Sequence, residues 1–234
     1  MNLFRRDSRP LVIAHRGAAA VAAENSRDAL QAGAASGADV VEFDISPGLL
    51  VGHSERELPA ATLTLDEALE ELAPHAVALH LDVKLPGYEE EVVAAVRRHD
   101  LSDRAYVSSA YAVTTRRFAQ IAPGLPVAIG YPRDRLGVAR APWPSGLTSA
   151  GAAALRAAMP ARVPVLLRWA RADALSLHHT LCSRAVVATA HRLGAPVLAW
   201  TANDAAAIRR LAEIGVDAVV SDDPEKALAT LLEQ

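Results

Sequence analysis

The chain has a single cysteine, Cys182, in 234 residues, so no internal disulfide framework holds it together. Aromatic residues are also scarce, at 4%, although hydrophobic residues as a whole reach 51%. Much of that apolar content is alanine, which favours close-packed helices. Basic charge is not in excess: 24 Lys and Arg stand against 27 Asp and Glu, a formal net charge of −3. That balance lacks the electrostatic footprint of a nucleic-acid-binding protein. Long apolar runs are missing too. Arg5 and Arg6 precede only Leu11-Val12-Ile13-Ala14, too short for a signal-peptide core or a membrane span. The expectation is a soluble cytoplasmic protein with no transmembrane segment, its oligomeric state left open. No linker or low-complexity segment divides it, and this length suits one large domain.

What is present is an alternation of short β-rich runs and amphipathic stretches. Leu11 to His15 reads as a buried strand ending in His15-Arg16-Gly17, with Gly17 permitting a sharp turn. Ser26 is placed to cap a helix over about Arg27 to Ser36, which Gly37 stops. The strand Val40 to Asp44 follows, Pro47-Gly48 breaks it, and Leu49 to His53 makes another short extended run. A helix opening at Thr64 or Asp66 runs through Glu71. Val77 to Leu85 alternates, with Leu79, Leu81 and Val83 on one face and His80, Asp82 and Lys84 on the other.

Beyond it come a helix over Tyr88 to His99, a strand over Ala105 to Ser109, a helix over Ala112 to Ile121 and a strand over Val127 to Gly130. Arg133 to Ser149, with its prolines and glycines, reads as loop. Two helical segments follow, about Ala150 to Met159 and Val163 to Arg171. The last third repeats one unit: strands Ala174 to His178, Val197 to Thr201 and Ala218 to Ser221, each followed by a helix. Strands spaced by helical patterns of about 10–15 residues imply βαβ units and a parallel sheet. About eight such steps predict an α/β fold, a closed (β/α)8 TIM barrel. It would form a single domain over 11–234 behind a tail of residues 1–10. An open doubly wound sheet is the alternative.

Catalytic residues of such barrels sit at the C-terminal ends of the strands, and the polar residues cluster there. Glu42 and Asp44 lie two apart on one strand and so share a face, where two like charges need a cation between them. With Asp82 they make an all-oxygen site suited to a hard divalent metal ion, Mg2+ or Ca2+. His15 and His53 could flank it as acid and base, and Arg16 and Lys84 would bind anionic oxygens. Trp200 would form a pocket wall. Taken singly, these features have plain structural readings: a strand-end histidine, a surface pair at Asp82 and Lys84, capping residues at Glu24 and Asn25. Taken together they describe phosphoryl chemistry.

In this order the motifs resemble the glycerophosphodiester phosphodiesterase family, within the phosphatidylinositol-phospholipase-C-like superfamily. Its His-Arg-Gly is met by His15-Arg16-Gly17, and its Pro-Glu-Asn-Thr by Ala23-Glu24-Asn25-Ser26. Its Gly-Ala-Asp and Glu-x-Asp correspond to Gly37-Ala38-Asp39 and Glu42-Phe43-Asp44, and its His-Asp to His53-Ser54. Glu-x-Lys becomes Asp82-Val83-Lys84. Trp-Thr-x-Asn is intact from Trp200 to Asn203, and the closing motif is Gly215-Val216-Asp217 with Asp222-Asp223-Pro224. The segment between Asp44 and His53 is shorter than the family's, Ser54 replaces an Asp, and Asp82 replaces a Glu.

The resemblance implies an enzyme that cleaves small-molecule glycerophosphodiesters to glycerol 3-phosphate and an alcohol. It also implies catalytic His15 and His53, a divalent ion on Glu42, Asp44 and Asp82, and substrate contacts from Arg16, Lys84, Glu24, Asn25 and Trp200. Related sphingomyelinase D-like phosphodiesterases carry Asp where Asp82 stands. That brings a lysophospholipid substrate, as for a lysophospholipase D, and a cyclising reaction within the reading. The altered loop and Ser54 leave a non-catalytic phosphoester-binding barrel as a further alternative.

Overall fold

A central parallel strand has to be covered on both faces. In the computed structural model, which describes residues 4, 8–53, 62–133 and 145–233, two separate apolar layers do this. The strands are β1 (Leu11–Ala14), β2 (Val40–Ser46), β3 (Leu50–Val51), β4 (Ala78–Val83), β5 (Ala105–Ser109), β6 (Val127–Tyr131), β7 (Ala174–His178), β8 (Val197–Trp200) and β9 (Ala218–Ser221). The helices are α1 (Arg27–Ala35), α2 (Leu65–Leu72), α3 (Glu89–Arg98), α4 (Ala112–Ile121), α5 (Ser145–Ala170), α6 (Arg184–Arg192), α7 (Ala205–Glu213) and α8 (Pro224–Leu232).

Eight strands pair in parallel in the order β1, β2, β4, β5, β6, β7, β8, β9, and β9 returns to β1. That last pairing, with Ile13 opposite Val220, closes the barrel and excludes the open sheet. Among the described strands only β3 departs, running antiparallel to the end of β2 with Val51 opposite Ile45. The strand alternation sorts side chains as expected. Leu79, Leu81, Val41 and Phe43 face the helices, while Ile13, Val40, Tyr106 and Leu198 fill the barrel. Phe4 joins this inner layer, its ring centroid 4.8 Å from that of Tyr106.

Local chemistry starts α1 where the sequence places it and selects Thr64 over Asp66 as the start of α2. Ser26 accepts the N–H of Ala29, and Thr64 with Glu67 forms a reciprocal capping box. Gly17 has φ +82°, and a Cβ there would lie 2.3 Å from the Ala29 carbonyl carbon. The turn after β1 therefore tolerates only glycine against α1.

One stretch differs from expectation. Ser145 to Ser149 open α5 rather than extend the loop, and residues 134–144 of that expected loop lie outside the described residues, as does Ser54. The two expected helical segments are a single helix that runs through Pro160 and Pro164. An interior proline removes a helical donor and costs about 3 kcal/mol. Met159, Val163 and Leu167 are buried along one face, each contributing about 1.5–3 kcal/mol, enough to carry the helix across the prolines. Cys182 is buried, and burial pushes its thiol up to about 12, so its place before α6 does not activate it. Among the described residues no helix is long and apolar enough to cross a membrane.

Candidate active site

Closure of the barrel sets the first and last strands side by side, and the site begins there. His15 follows β1, and its Nδ1 lies 2.5 Å from Asp222 Oδ1, just past β9. Asp222 is itself held by Asn203, whose Nδ2 donates to Oδ2 and whose Oδ1 accepts the Asp222 N–H at 2.9 Å. Burial opposes charge on the His15 ring, but the Asp222 hydrogen bond and the nearby Glu42 charge outweigh burial and Arg16, raising its pKa. The same bond holds the Asp222 carboxyl below its ordinary value.

Glu42 and Asp44 project from β2 into the barrel, and Asp82 sits opposite Asp44 in the β2–β4 register. One oxygen of each of the three lies within 4.8 Å of the others. Each is held in place. The Arg16 backbone N–H donates to Glu42 Oε2 at 2.7 Å, and Asn25 Nδ2 donates to Asp44 Oδ2 at 3.1 Å. The Ser108 hydroxyl donates to Asp82, and His80 Nε2 lies 2.8 Å from that hydroxyl. Burial drives the His80 pKa down to about 4, so it acts as a neutral prop.

Lys84 bridges two of the acids, with Nζ 2.5 Å from Asp44 Oδ1 and in contact with Asp82. Burial opposes ionisation of Asp44, yet Lys84, His53 and Arg16 prevail and hold it well below the usual carboxylate range. For Glu42 the balance falls the other way: burial first, then the Asp44 charge, outweigh His15 and Lys84 and push it up to about 7. The donor set is hard oxygen throughout, and the fully buried Asp44 Oδ1 makes an ionic contact but no well-aligned hydrogen bond. These residues therefore fit a divalent metal ion.

The short segment between β2 and His53 is tied back at once. The Gly52 N–H donates to the Asp44 carbonyl at 2.9 Å, and the Ser46 hydroxyl donates to the Gly52 carbonyl at 2.6 Å. That brings His53 Nδ1 to 3.2 Å from Asp44 Oδ2 and 2.9 Å from an Arg16 Nη2. Arginine only donates and a carboxylate only accepts, so a bare Nδ1 suits Arg16 and an Nδ1 that carries hydrogen suits Asp44.

A cavity of about 620 Å3 opens over these groups, lined by His15, Arg16, Glu42, His53, Asp82 and Lys84 on one side. Trp200 lines it further round, and Tyr111 and Arg133 complete the wall. Asp44 lies beneath it. Glu24 and Asn25 do not line the cavity: Glu24 Oε2 accepts from Arg16 at 2.6 Å, and Asn25 holds Asp44. Sequence reasoning assigned no role to Asp222, Asn203, Ser108, His80, Tyr111 or Arg133. For Asp222 and Asn203 a signal was present, since both stand inside quoted motifs. The others carry no motif and enter only through packing.

The model of the glycerophosphoryl diester phosphodiesterase family matches residues 51–226. A glycerophosphodiester phosphodiesterase of Caldanaerobacter subterraneus is 23% identical over 257 residues, covering 92% of this chain and 95% of that protein. A glycerophosphodiester phosphodiesterase structure from Parabacteroides distasonis superposes with a TM-score of 0.75 at 20% identity, covering 97% of this chain and 99% of that one. An Oleispira antarctica phosphodiesterase in complex with the product sn-glycerol-3-phosphate gives a TM-score of 0.72 at 22% identity, with 97% and 98% covered. With the family match spanning well over half its length, the chain belongs to the glycerophosphoryl diester phosphodiesterase family.

Proposed function

We propose that the chain hydrolyses glycerophosphodiesters to glycerol 3-phosphate and an alcohol, using a divalent metal ion and a pair of histidines. One observation carries the reading: three carboxylates converge beside a cavity that also presents His15, His53, Lys84 and Arg16. The names of the similar proteins support the substrate class, as does the product bound by the Oleispira phosphodiesterase. Mg2+ or Ca2+ on Glu42, Asp44 and Asp82 would offset the negative charge that develops on the phosphoryl oxygens.

The chain's own groups supply the rest. Lys84 and Arg16 hold the anionic phosphodiester against the mouth. Asp222 keeps a proton on His15 Nδ1 and leaves Nε2 bare, so His15 serves as the base that deprotonates the attacking hydroxyl. His53 has the Asp44 carboxylate that an imidazolium needs, so it serves as the acid that protonates the leaving alkoxide. Trp200 walls the pocket.

A product assay on glycerophosphodiesters and lysophospholipids tests this. Glycerol 3-phosphate and free alcohol should form with Mg2+ or Ca2+ and not in excess chelator. A cyclic phosphate product, or turnover of lysophospholipids alone, would establish the second reading that Asp82 keeps open. Binding without release of any product would make the barrel a receptor instead.

A further inference from the structure

Going round the barrel, β6 stands four strands from β1 in either direction, so its C-terminal end faces that of β1 across the mouth. Arg133 lies two residues beyond β6 and lines the same cavity as His15 and Asp82. Its guanidinium carbon sits 4.4 Å from the centroid of the Tyr111 ring, just after β5. A stacked guanidinium is oriented by the ring while its in-plane N–H donors stay available. Among the described residues, the cavity's two other Lys and Arg side chains, which face the reacting phosphate, also meet carboxylates of the chain. Lys84 lies on Asp44 and Asp82, and Arg16 on Asp44 and Glu24. Arg133 has no carboxylate partner among the described residues. An unpaired arginine on an open surface would mean little, but this one is on a concave wall. Beside it Ala110 and Gly130 leave room for the arm of a ligand.

We infer that Arg133, braced on Tyr111, binds a negative group carried by the leaving alcohol, a terminal phosphate or a carboxylate. The enzyme would then favour diesters with anionic headgroups over those with choline-like ones. This rests on the diesterase reading above. In such diesters the glycerol arm is constant and uncharged, so only the headgroup arm can bring the charge. The discrimination has two parts, attraction of an anion and repulsion of a trimethylammonium.

The test compares kcat/KM for glycerophosphoglycerol phosphate, glycerophosphoglycolate, glycerophosphoglycerol and glycerophosphocholine at fixed ionic strength with Mg2+. The wild type should prefer one or both anionic headgroups over choline by roughly 10-fold or more, the scale of one hydrogen bond to a charged group. The first two substrates separate a phosphate partner from a carboxylate one. Arg133→Gln should bring the ratio towards one, and Arg133→Lys, which keeps the charge but loses the stacked fork, should retain only part of it. A ratio that Arg133→Gln leaves untouched overturns the inference. So does a loss shared equally by all four substrates, which would place Arg133 on the reacting phosphate. If no diester is turned over, the diesterase reading fails, and calorimetric titration with the same compounds decides the site alone. Tighter binding of an anionic headgroup, lost in Arg133→Gln, supports it, and equal binding overturns it.

Discussion

At the level of single residues, His15 meets a carboxylate through one ring nitrogen and the cavity through the rest of its ring. Its raised pKa has a definite consequence for pH. A base must be neutral to work, so the acidic limb of kcat/KM should lie above the ordinary histidine value of 6.5. The sign for stability is opposite. A raised folded pKa means the His15–Asp222 pair stabilises fully below that ordinary value and is lost as pH rises through the folded one. Asp222→Asn removes the partner, so the acidic limb should move to lower pH and kcat/KM should fall about 10²- to 10⁴-fold. An unmoved limb in the pH–rate profile would assign the titration to another group. For His53 the discriminating variant is His53→Ala. It should be slow on natural diesters and largely rescued on a p-nitrophenyl ester, whose leaving group needs no proton. Equal loss on both substrates would remove His53 from the acid's role.

At the level of elements, the turn from β1 into α1 sets where His15 and Arg16 stand. Arg16 and Asn25 both hold positive φ there, 51° and 60°, and Gly17 packs directly on α1. Gly17→Ala combines an unfavourable backbone region with a clash against backbone that cannot swing away. A cost of about 2 kcal/mol or more follows, a fall in Tm of roughly 4–8 °C for a domain of this size. A thermal melt unchanged by the substitution would show that α1 shifts to make room. The β3 hairpin is the other element the site depends on. Although shorter than the family pattern, it delivers His53 to Asp44 because two hydrogen bonds, at Ser46 and Gly52, tie the segment back onto β2.

For the whole molecule, the site is a cost that the barrel carries. Glu42 and Asp44 are buried beside the half-buried Asp82, and the positive groups outweigh burial at Asp44, with Lys84 and Arg16, and at Asp82, with Lys84, but not at Glu42. A ligand that binds only the folded state stabilises it by about 2.7 kcal/mol at a hundred times its Kd. Mg2+ or Ca2+ should therefore raise Tm, and chelator should reverse the rise. Glu42→Gln relieves the repulsion from Asp44 while its amide oxygen can still accept the Arg16 N–H. Its metal-free Tm should equal or exceed that of the wild type, and its response to metal should be largely lost. A wild-type melt indifferent to both ions would remove the metal from the site.

The sequence by itself determined the repeating βα order, the helix start at Ser26, the choice of Thr64 or Asp66 for the next, and the placing of His15, Glu42, Asp44, Asp82 and Lys84 near strand ends. All of these follow from periods of two and 3.6 residues and from capping, which act within a few positions along the chain. Tertiary structure alone decided the rest. The 207-residue separation of His15 and Asp222 is spanned by barrel closure. Ser108 and His80 reach Asp82 through the register of β4 and β5. Arg133 meets Tyr111 because β5 and β6 end side by side. α5 survives its prolines because its apolar face is buried, a gain that no propensity along the chain records. Local pattern fixes which residues can project at the mouth. Which of them meet is a matter of closure, because pairing the first strand with the last turns distance in sequence into contact in space.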